Sequence, residues 1–126
     1  MIVGIGTDIV RVARLSAGLR RFGSRYAARI LSPDEHQEFA TAARPAHFLA
    51  KRFAVKEATA KALGTGFRGA FALRDITVAH TALGQPRLVL KGDAQAFARK
   101  LKVGAMHVTL SDEEEYAVAF VVLEQA

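Results

Sequence analysis

The segment from residue 48 to residue 63 constrains the fold more than any other part of the sequence, because its helical pattern is apolar on nearly all sides. One stripe at three- and four-residue spacing consists of Leu49, Phe53, Ala60 and Leu63. Small apolar residues cover much of the opposite side: Ala54, Val55, Ala58 and Ala62. A helix of this kind is usually buried, so the sequence predicts a fold built around one long central helix.

Charged residues interrupt this apolar helix. Lys56 and Glu57 lie in or beside the main stripe, and Lys61 lies one turn beyond Glu57. Charges in such a place are costly unless they are paired or bound to a ligand. One explanation is therefore an ion pair between Glu57 and Lys61, worth about 0.3–0.5 kcal/mol.

The other explanation is a ligand site at the end of the helix. Gly64-Thr65-Gly66 follows directly, and glycines allow the backbone to come close to a ligand. A phosphate group could lie against the backbone amides there while Lys61 neutralises its charge. The lysines would have to outweigh the dipole of the helix C-terminus, which repels anions.

Asp8 is the second unusual charge. It follows a nearly all-apolar segment, residues 2–6, that is predicted to be a short buried strand. Aspartate is also a good helix N-cap, so Asp8 could cap the helix that follows. Alternatively, the carboxylates of Asp8 and Glu57 could together hold one hard cation, because magnesium typically takes one or two carboxylates, waters and phosphate oxygens.

The rest of the sequence predicts an α+β fold in one domain, residues 1–126. Predicted strands cover residues 2–6, 74–81, 86–91, 106–110 and 116–123, and predicted helices cover 12–22, 33–42, 45–63 and 93–102. Gly23 is predicted to end the first helix, and Ser32-Pro33-Asp34-Glu35 is a capping box that begins the second. The last helix is expected to direct Ala96, Phe97 and Leu101 inward.

Composition narrows the possible functions. The 126 residues carry a net charge of +6 and no cysteine, which removes disulfides and thiolate chemistry. No secretory signal and no run of about 20 apolar residues is recognisable, so we expect a cytoplasmic protein that uses no membrane. The charge could attract nucleic acid or another polyanion, but the sequence lacks the aromatic and basic platform of nucleic-acid-binding modules, so we expect no nucleic-acid partner.

Two motifs resemble the small phosphopantetheinyl transferases of the holo-acyl-carrier-protein synthase family. They are Gly4-Ile5-Gly6-Thr7-Asp8-Ile9-Val10 and Arg52-Phe53-Ala54-Val55-Lys56-Glu57-Ala58, the second continuing through Lys61 to Gly66. The resemblance continues through Gly84-Gln85-Pro86 and His107-Val108-Thr109-Leu110-Ser111, and covers essentially the whole chain. It implies a subunit with a small antiparallel sheet against the central helix. It also implies a homotrimer with active sites at the subunit interfaces.

The resemblance further implies transfer of 4′-phosphopantetheine from coenzyme A to a serine hydroxyl of apo-acyl carrier protein. Adenosine 3′,5′-bisphosphate is released, and the reaction belongs to fatty acid biosynthesis. Asp8 and Glu57 match the magnesium ligands of the family. The implied catalytic residues are Asp8, Glu57, Lys61 and His107, and the implied coenzyme A contacts are Arg52, Lys56, Lys61, Gly64, Thr65, Gly66, Pro86 and His107. The implied docking residues for acyl carrier protein are Arg14, Arg20, Arg21 and Arg25.

Several roles stay open at this stage. Glu57, Asp8 or a water molecule oriented by a carboxylate could accept the serine proton, and we favour the water because a metal-bound carboxylate is a poorer base. His107 could bind coenzyme A, act as a base or be structural. Relatives often have Glu where this chain has Arg11, and Ser-His-Thr where it has Ser111-Asp112-Glu113. Asp112 could reach the metal through water or lie in a solvated turn.

Overall fold

A computed structural model describes residues 1–66 and 69–126 of the chain. Its α-helices are α1 (Val12–Phe22), α2 (Ser24–Ile30), α3 (His36–Ala40), α4 (Pro45–Leu63) and α5 (Gly92–Lys100). Its strands are β1 (Ile2–Arg11), β2 (Ile76–His80), β3 (Pro86–Leu90), β4 (Val103–Asp112) and β5 (Tyr116–Gln125). Two short 3₁₀ turns, Pro33–Glu35 and Leu73–Asp75, precede α3 and β2.

The strands form two separate antiparallel sheets. The larger sheet has the order β1-β5-β4, and β2 pairs with β3 in a hairpin. Residues of β1 and β5 that are paired across the ladder share a face, and the faces alternate along each strand. The inner face, which carries the buried Ala117, Ala119, Val121 and Leu123, packs against α4. The predicted α+β class and the central helix are confirmed, with two sheets where one was predicted.

Two glycines bring β1 against the backbone of α4. A Cβ atom on Gly6 would lie 1.9 Å from the carbonyl oxygen of Ala58, and one on Gly4 would lie 1.9 Å from that of Ala62. No side chain fits in that space, so only glycine permits this separation of strand and helix. Asp8 follows two residues after Gly6 and faces the same helix, because it pairs with the buried Ala119.

Several predicted boundaries were wrong. β1 extends to Arg11 rather than ending at residue 6, and Arg11 occupies the N-cap position of α1. The interpretation of Asp8 as an N-cap is therefore wrong, because Asp8 lies within a paired strand. The inward face of α5 was also misassigned. Ala94 and Ala98 are its buried residues, Phe97 is only partly buried, and Ala96 and Leu101 are exposed.

The first predicted helix is confirmed, and Gly23 ends it with a positive φ of 63°. α2, which the sequence did not predict, begins immediately afterwards and packs Ala27 and Ile30 into the core. The two helices form the basic side of the subunit. Within residues 1–66 and 69–126, no helix combines the length and the hydropathy that crossing a bilayer would need.

Candidate active site

Three predicted site residues converge where β1 crosses α4. The Nζ atom of Lys61 donates hydrogen bonds to the carbonyl oxygen of Thr7 at 2.9 Å and to Oδ1 of Asp8 at 3.3 Å. Only 16% of the Asp8 side chain is exposed, compared with 54% for Lys61. The lysine of α4 thus faces the carboxylate of β1 at the edge of an accessible surface.

The carboxylate of Glu57 belongs to the same group of charges. Partial burial raises the pKa of Glu57, and the neighbouring Asp8 raises it further. Lys61 and Arg14 oppose this shift of the Glu57 pKa. At Glu57, burial and the repulsion of Asp8 therefore outweigh the attraction of the two cations, Lys61 and Arg14.

This donor set fits a divalent cation. Among the residues that the structure describes, no group of three or more His, Cys, Asp and Glu side chains gathers as a closed metal site. Magnesium does not require such a group, because it usually keeps several waters and takes one or two carboxylates together with substrate phosphate oxygens. Asp8 and Glu57 supply two such carboxylates. The alternative interpretation, in which Glu57 and Lys61 merely pair, is less favourable because the hydrogen bond of Lys61 is to Asp8.

The glycine loop after α4 differs from the expected phosphate cradle. Gly64 has a φ of 89°, and its amide donates to the carbonyl oxygens of Ala60 and Lys61. The amide of Gly66 also donates to the carbonyl oxygen of Ala60, at 3.3 Å. These two amides close the end of the helix, as glycine caps commonly do. The prediction that they are available to a phosphate is therefore wrong in this conformation. The hydroxyl group of Thr65 donates to the carbonyl oxygen of Gly66 at 2.8 Å.

Arg52 and Lys56 do not face this site, which corrects their assignment as coenzyme A contacts. Lys56 is fully buried, and its Nζ atom lies 2.5 Å from Oε1 of Glu35. Arg52 is 5% exposed, its guanidinium lies over the ring of Phe48, and it approaches Glu35 and Glu38. Burial lowers the pKa of Lys56, and the Glu35 carboxylate opposes that shift. Side chains enclosed in this way have no surface to offer a ligand.

His107 and Pro86 lie apart from the carboxylates. His107 pairs with Val122 on the outer face of the larger sheet, whereas Asp8 is on the inner face. Its Nε2 atom is 2.7 Å from the carboxylate of Glu124, and this contact lowers the pKa of Glu124. Pro86 begins β3 opposite His80. Within one subunit, the sheet therefore separates His107 from Asp8.

The predicted docking arginines are all exposed, and together they form a basic surface on α1 and α2. The guanidinium of Arg14 lies 5.2 Å from the ring centroid of Phe53, and its charge opposes the rise in the pKa of Glu57, so this surface reaches the carboxylates. Arg20 donates to the hydroxyl group of Ser16, and Arg21 lies over the ring of Phe22. Arg25 lines an open groove that also includes Phe22, Tyr26, Ala28 and Arg29.

Sequence reasoning missed the aromatic part of this surface. Phe22 and Tyr26 stack with ring centroids 6.3 Å apart, although they belong to different helices. Phe22, the last residue of α1, is 53% exposed. Gly18 makes room for Tyr26, because a Cβ at that position would lie within 2.5 Å of the Tyr26 ring. Asp112, the last residue of β4, is exposed, as expected for a residue beside a solvated turn.

Comparison with known proteins identifies the family of the chain. The sequence profile of the 4′-phosphopantetheinyl transferase superfamily matches residues 4–121. A holo-[acyl-carrier-protein] synthase of Thiobacillus denitrificans is 52% identical over all of this chain and 96% of its own length. One from Salmonella paratyphi B is 53% identical over 98% of both chains.

Solved structures show the same fold. The crystal structure of holo-[acyl-carrier-protein] synthase from Neisseria meningitidis superimposes with a TM-score of 0.94 at 45% identity, covering 99% of this chain and all of the other. The synthase from Bacillus anthracis, determined in complex with CoA (3′,5′-ADP), has a TM-score of 0.83 at 35% identity over 100% and 99% of the two chains.

The fold, the paired carboxylates and these matches define the class of protein: the chain belongs to the 4′-phosphopantetheinyl transferase superfamily. Within that superfamily it is an enzyme of the holo-[acyl-carrier-protein] synthase kind. Relatives with that name are 52–53% identical to it, and the matches cover nearly their whole length.

Proposed function

We propose that the chain transfers the 4′-phosphopantetheine arm of coenzyme A to a serine hydroxyl of apo-acyl carrier protein, with a magnesium ion held by Asp8 and Glu57. Adenosine 3′,5′-bisphosphate is the other product. The observation that carries the proposal is the convergence of Asp8, Glu57 and Lys61 where β1 meets α4. The coenzyme A complex of the Bacillus anthracis relative supports the donor. The names of the relatives support the acceptor, and a cytoplasmic step of fatty acid biosynthesis suits both substrates.

The residues of this chain account for the electrostatics of the reaction. The serine oxygen forms a bond to the phosphorus next to pantetheine. The bond from that phosphorus to the bridging oxygen breaks, and the electron pair leaves with the nucleotide. Bound magnesium would supply positive charge to the diphosphate oxygens. Lys61, on a side chain that is 54% exposed, supplies a second positive charge where negative charge grows. The serine proton passes to a water molecule oriented by a carboxylate.

An assembly of subunits would bring the remaining predicted residues to the site. The outer face of the larger sheet exposes Ile5 and Ile9 on β1 and Val118 and Phe120 on β5, with Ile9 65% exposed. A contiguous exposed apolar patch marks an interaction site, and this one supports the proposed homotrimer. His107 lies on the same outer face, so it would act at a site shared between subunits rather than beside Asp8 of its own chain.

A single assay tests the transfer itself. The chain is incubated with coenzyme A, magnesium and an apo-acyl carrier protein, and the intact mass of the carrier is measured. We expect the mass of one phosphopantetheine arm on one serine, and no addition when a chelator replaces magnesium or when that serine is alanine. A carrier that stays unmodified under all these conditions would refute the proposal.

The docking surface is tested separately with Arg14→Glu. The acidic carrier should be attracted to the basic surface of α1 and α2, so we expect this reversal to raise the KM for carrier about tenfold or more. The KM for coenzyme A should change much less. Arg99→Glu on α5, outside the proposed surface, is the matched control. Equal losses for both substrates would remove Arg14 from docking and leave it as a neighbour of Glu57.

A further inference from the structure

A buried cluster of charges on the far side of α4 has no part in the chemistry proposed above. It consists of Glu35, Lys56 and Arg52, and both Glu35 and Lys56 are fully buried. We propose that the Lys56–Glu35 pair is a positioning element, which fixes the rotation of α4 so that Glu57 and Lys61 face Asp8. This inference rests on the proposed function, because it concerns how the same site is held in place.

Lys56 ties α4 to two other parts of the chain. Its Nζ atom donates to Oε1 of Glu35 at 2.5 Å and to the carbonyl oxygen of Ile30 at 2.7 Å. Ile30 is the last residue of α2, the helix that carries Arg25 of the docking surface. One lysine therefore joins the central helix to both the 3₁₀ turn and the basic side of the subunit.

Glu35 is held at least as firmly as its partner. Its Oε1 atom accepts a hydrogen bond from the amide of Ser32 at 2.9 Å, and its Oε2 atom accepts one from the amide of Val78 at 2.9 Å. The hydroxyl group of Thr77 donates to that of Ser32 at 2.7 Å. Satisfied buried hydrogen bonds hold their groups in one arrangement, so Glu35 is a fixed point joined to β2. Among the described residues, Nε of Arg52 is the buried side-chain atom of this cluster that has no hydrogen bond.

Helix geometry explains how a contact at Lys56 can set the positions of Glu57 and Lys61. With 3.6 residues per turn, Lys56 and Glu57 point about 100° apart around the axis of α4. Gly4 and Gly6 already fix how closely β1 approaches the helix. The Lys56–Glu35 contact fixes the remaining freedom, which is rotation about the helix axis. A rotation that moved Lys56 would carry Glu57 and Lys61 away from Asp8, and a misplacement of about 1 Å in a catalytic site can cost 10²-fold in rate.

Three variants separate positioning from the alternatives. Lys56→Met and Glu35→Gln each break the pair, and the double variant Glu35→Gln/Lys56→Met replaces both charges. Replacement of a whole buried ion pair is often neutral for stability, so the double variant is expected to fold. Leu90→Ala in β3 is the matched control, because it removes core packing without contacting the cluster. Melting temperature, kcat, both KM values and the calorimetric Kd of coenzyme A with magnesium are measured for each.

We expect each single variant to lower kcat about 10–100-fold and to shift the KM for carrier by less than about threefold. The double variant should be no slower than the slower single variant, since all three lose one shared interaction. Leu90→Ala, even with a comparable loss in melting temperature, should keep the wild-type kcat. If a single variant does not fold, the double variant alone decides: slow transfer supports positioning.

Other results overturn the inference. A folded double variant with wild-type kcat would show that the cluster is only structural. Loss of coenzyme A affinity in Lys56→Met but not in Glu35→Gln would show that Lys56 serves the ligand independently of the pair. Multiplicative effects in the double variant would show that the two residues act separately. Absence of transfer by the wild-type chain is a different failure, which refutes the proposed function.

Discussion

The charged residues on two sides of α4 differ in whether protein encloses them. The closed side, Arg52 and Lys56, faces the carboxylate of Glu35, and both side chains are nearly or fully buried. The open side, Glu57 and Lys61, faces Asp8 at an accessible edge. On the closed side every hydrogen bond of Lys56 is to protein. On the open side, burial and the neighbouring Asp8 raise the pKa of Glu57 in spite of Lys61 and Arg14, so a bound cation would stabilise this carboxylate.

This difference teaches how a structural charge is told from a functional one. A buried ion pair that satisfies its own hydrogen bonds has no remaining capacity for a ligand. A carboxylate whose pKa is raised by burial and by a second carboxylate, as that of Glu57 is, is held in an unfavourable state that a bound cation would relieve.

The largest effect is expected on the closed side. Glu35→Ala leaves Lys56 charged and enclosed, and removing one partner of a buried ion pair costs about 3–5 kcal/mol in the free energy of unfolding. Urea denaturation measures this loss in the free energy of unfolding. Glu38→Ala is the control, because Glu38 is an exposed carboxylate that contacts Arg52 of the same cluster. A loss below about 1 kcal/mol would mean that Lys56 finds another partner or takes up water.

On the open side, a substitution should lower activity while the chain stays folded. Glu57→Gln keeps the shape of the side chain but removes a carboxylate ligand, so kcat/KM should fall about 10²–10³-fold, the size of effect seen when one electrostatic contact in a transition state is lost. Urea denaturation should show a folded chain, unlike Glu35→Ala. Full activity of Glu57→Gln with magnesium present would remove Glu57 from the metal site.

The sequence predicts most of the helices and strands, but it does not show which charges of α4 are enclosed and which are accessible. Periodicity predicted α4 with its true ends at Pro45 and Leu63, and the motifs identified Asp8, Glu57 and Lys61 as one group. Adjacent charges on a helix look alike in sequence, and Lys56 was assigned to coenzyme A because the family resemblance implied that contact. Glu35 was interpreted only as a cap residue. Its Oε1 atom does bond the amide of Ser32, but nothing local indicates that the same carboxylate meets Lys56 and Val78.

The predicted strand of residues 2–6 failed for a related reason. Its apolar run ends at Gly6, yet pairing with β5 continues to Arg11. Ile5 and Ile9 face outward while Asp8 faces the helix, so alternation is hidden by apolar residues on the exposed side. Tertiary contact, rather than local propensity, sets the length of this strand.

Gly6 connects the two sides, because it sets the distance between β1 and α4. A methyl group at Gly6 would meet the carbonyl oxygen of Ala58 at 1.9 Å, so Gly6→Ala must push strand and helix apart. Overpacking of this kind typically costs about 1–3 kcal/mol, and magnesium-dependent coenzyme A binding should weaken as Asp8 moves. Val89→Ala, on the exposed side of β3 and away from the outer face of the larger sheet, is the control for calorimetry and urea denaturation. Unchanged binding in Gly6→Ala would show that the separation of strand and helix is not what places Asp8.

The smallest effect concerns the pH dependence of stability without divalent metal. The pKa of Glu57 is higher in the folded chain than its ordinary value, first because of burial and then because of Asp8. The folded state therefore binds this proton more tightly than the unfolded state does. As pH rises from the ordinary pKa to the folded pKa, the free energy of unfolding falls, and above that interval the loss is constant.

Glu57→Gln has no such proton, so its melting temperature should exceed that of the wild type above this interval, with the difference growing as pH rises through it. Because the side chain is only partly buried, we expect less than about 1 kcal/mol, measured by parallel melts from pH 4 to pH 8 in chelator. Saturating magnesium should remove the advantage of the variant, since a ligand of the folded state stabilises it. A wild type that is more stable than Glu57→Gln at neutral pH in chelator would contradict an unrelieved carboxylate on the open side. The distinction between the two sides of α4 would then rest on geometry alone.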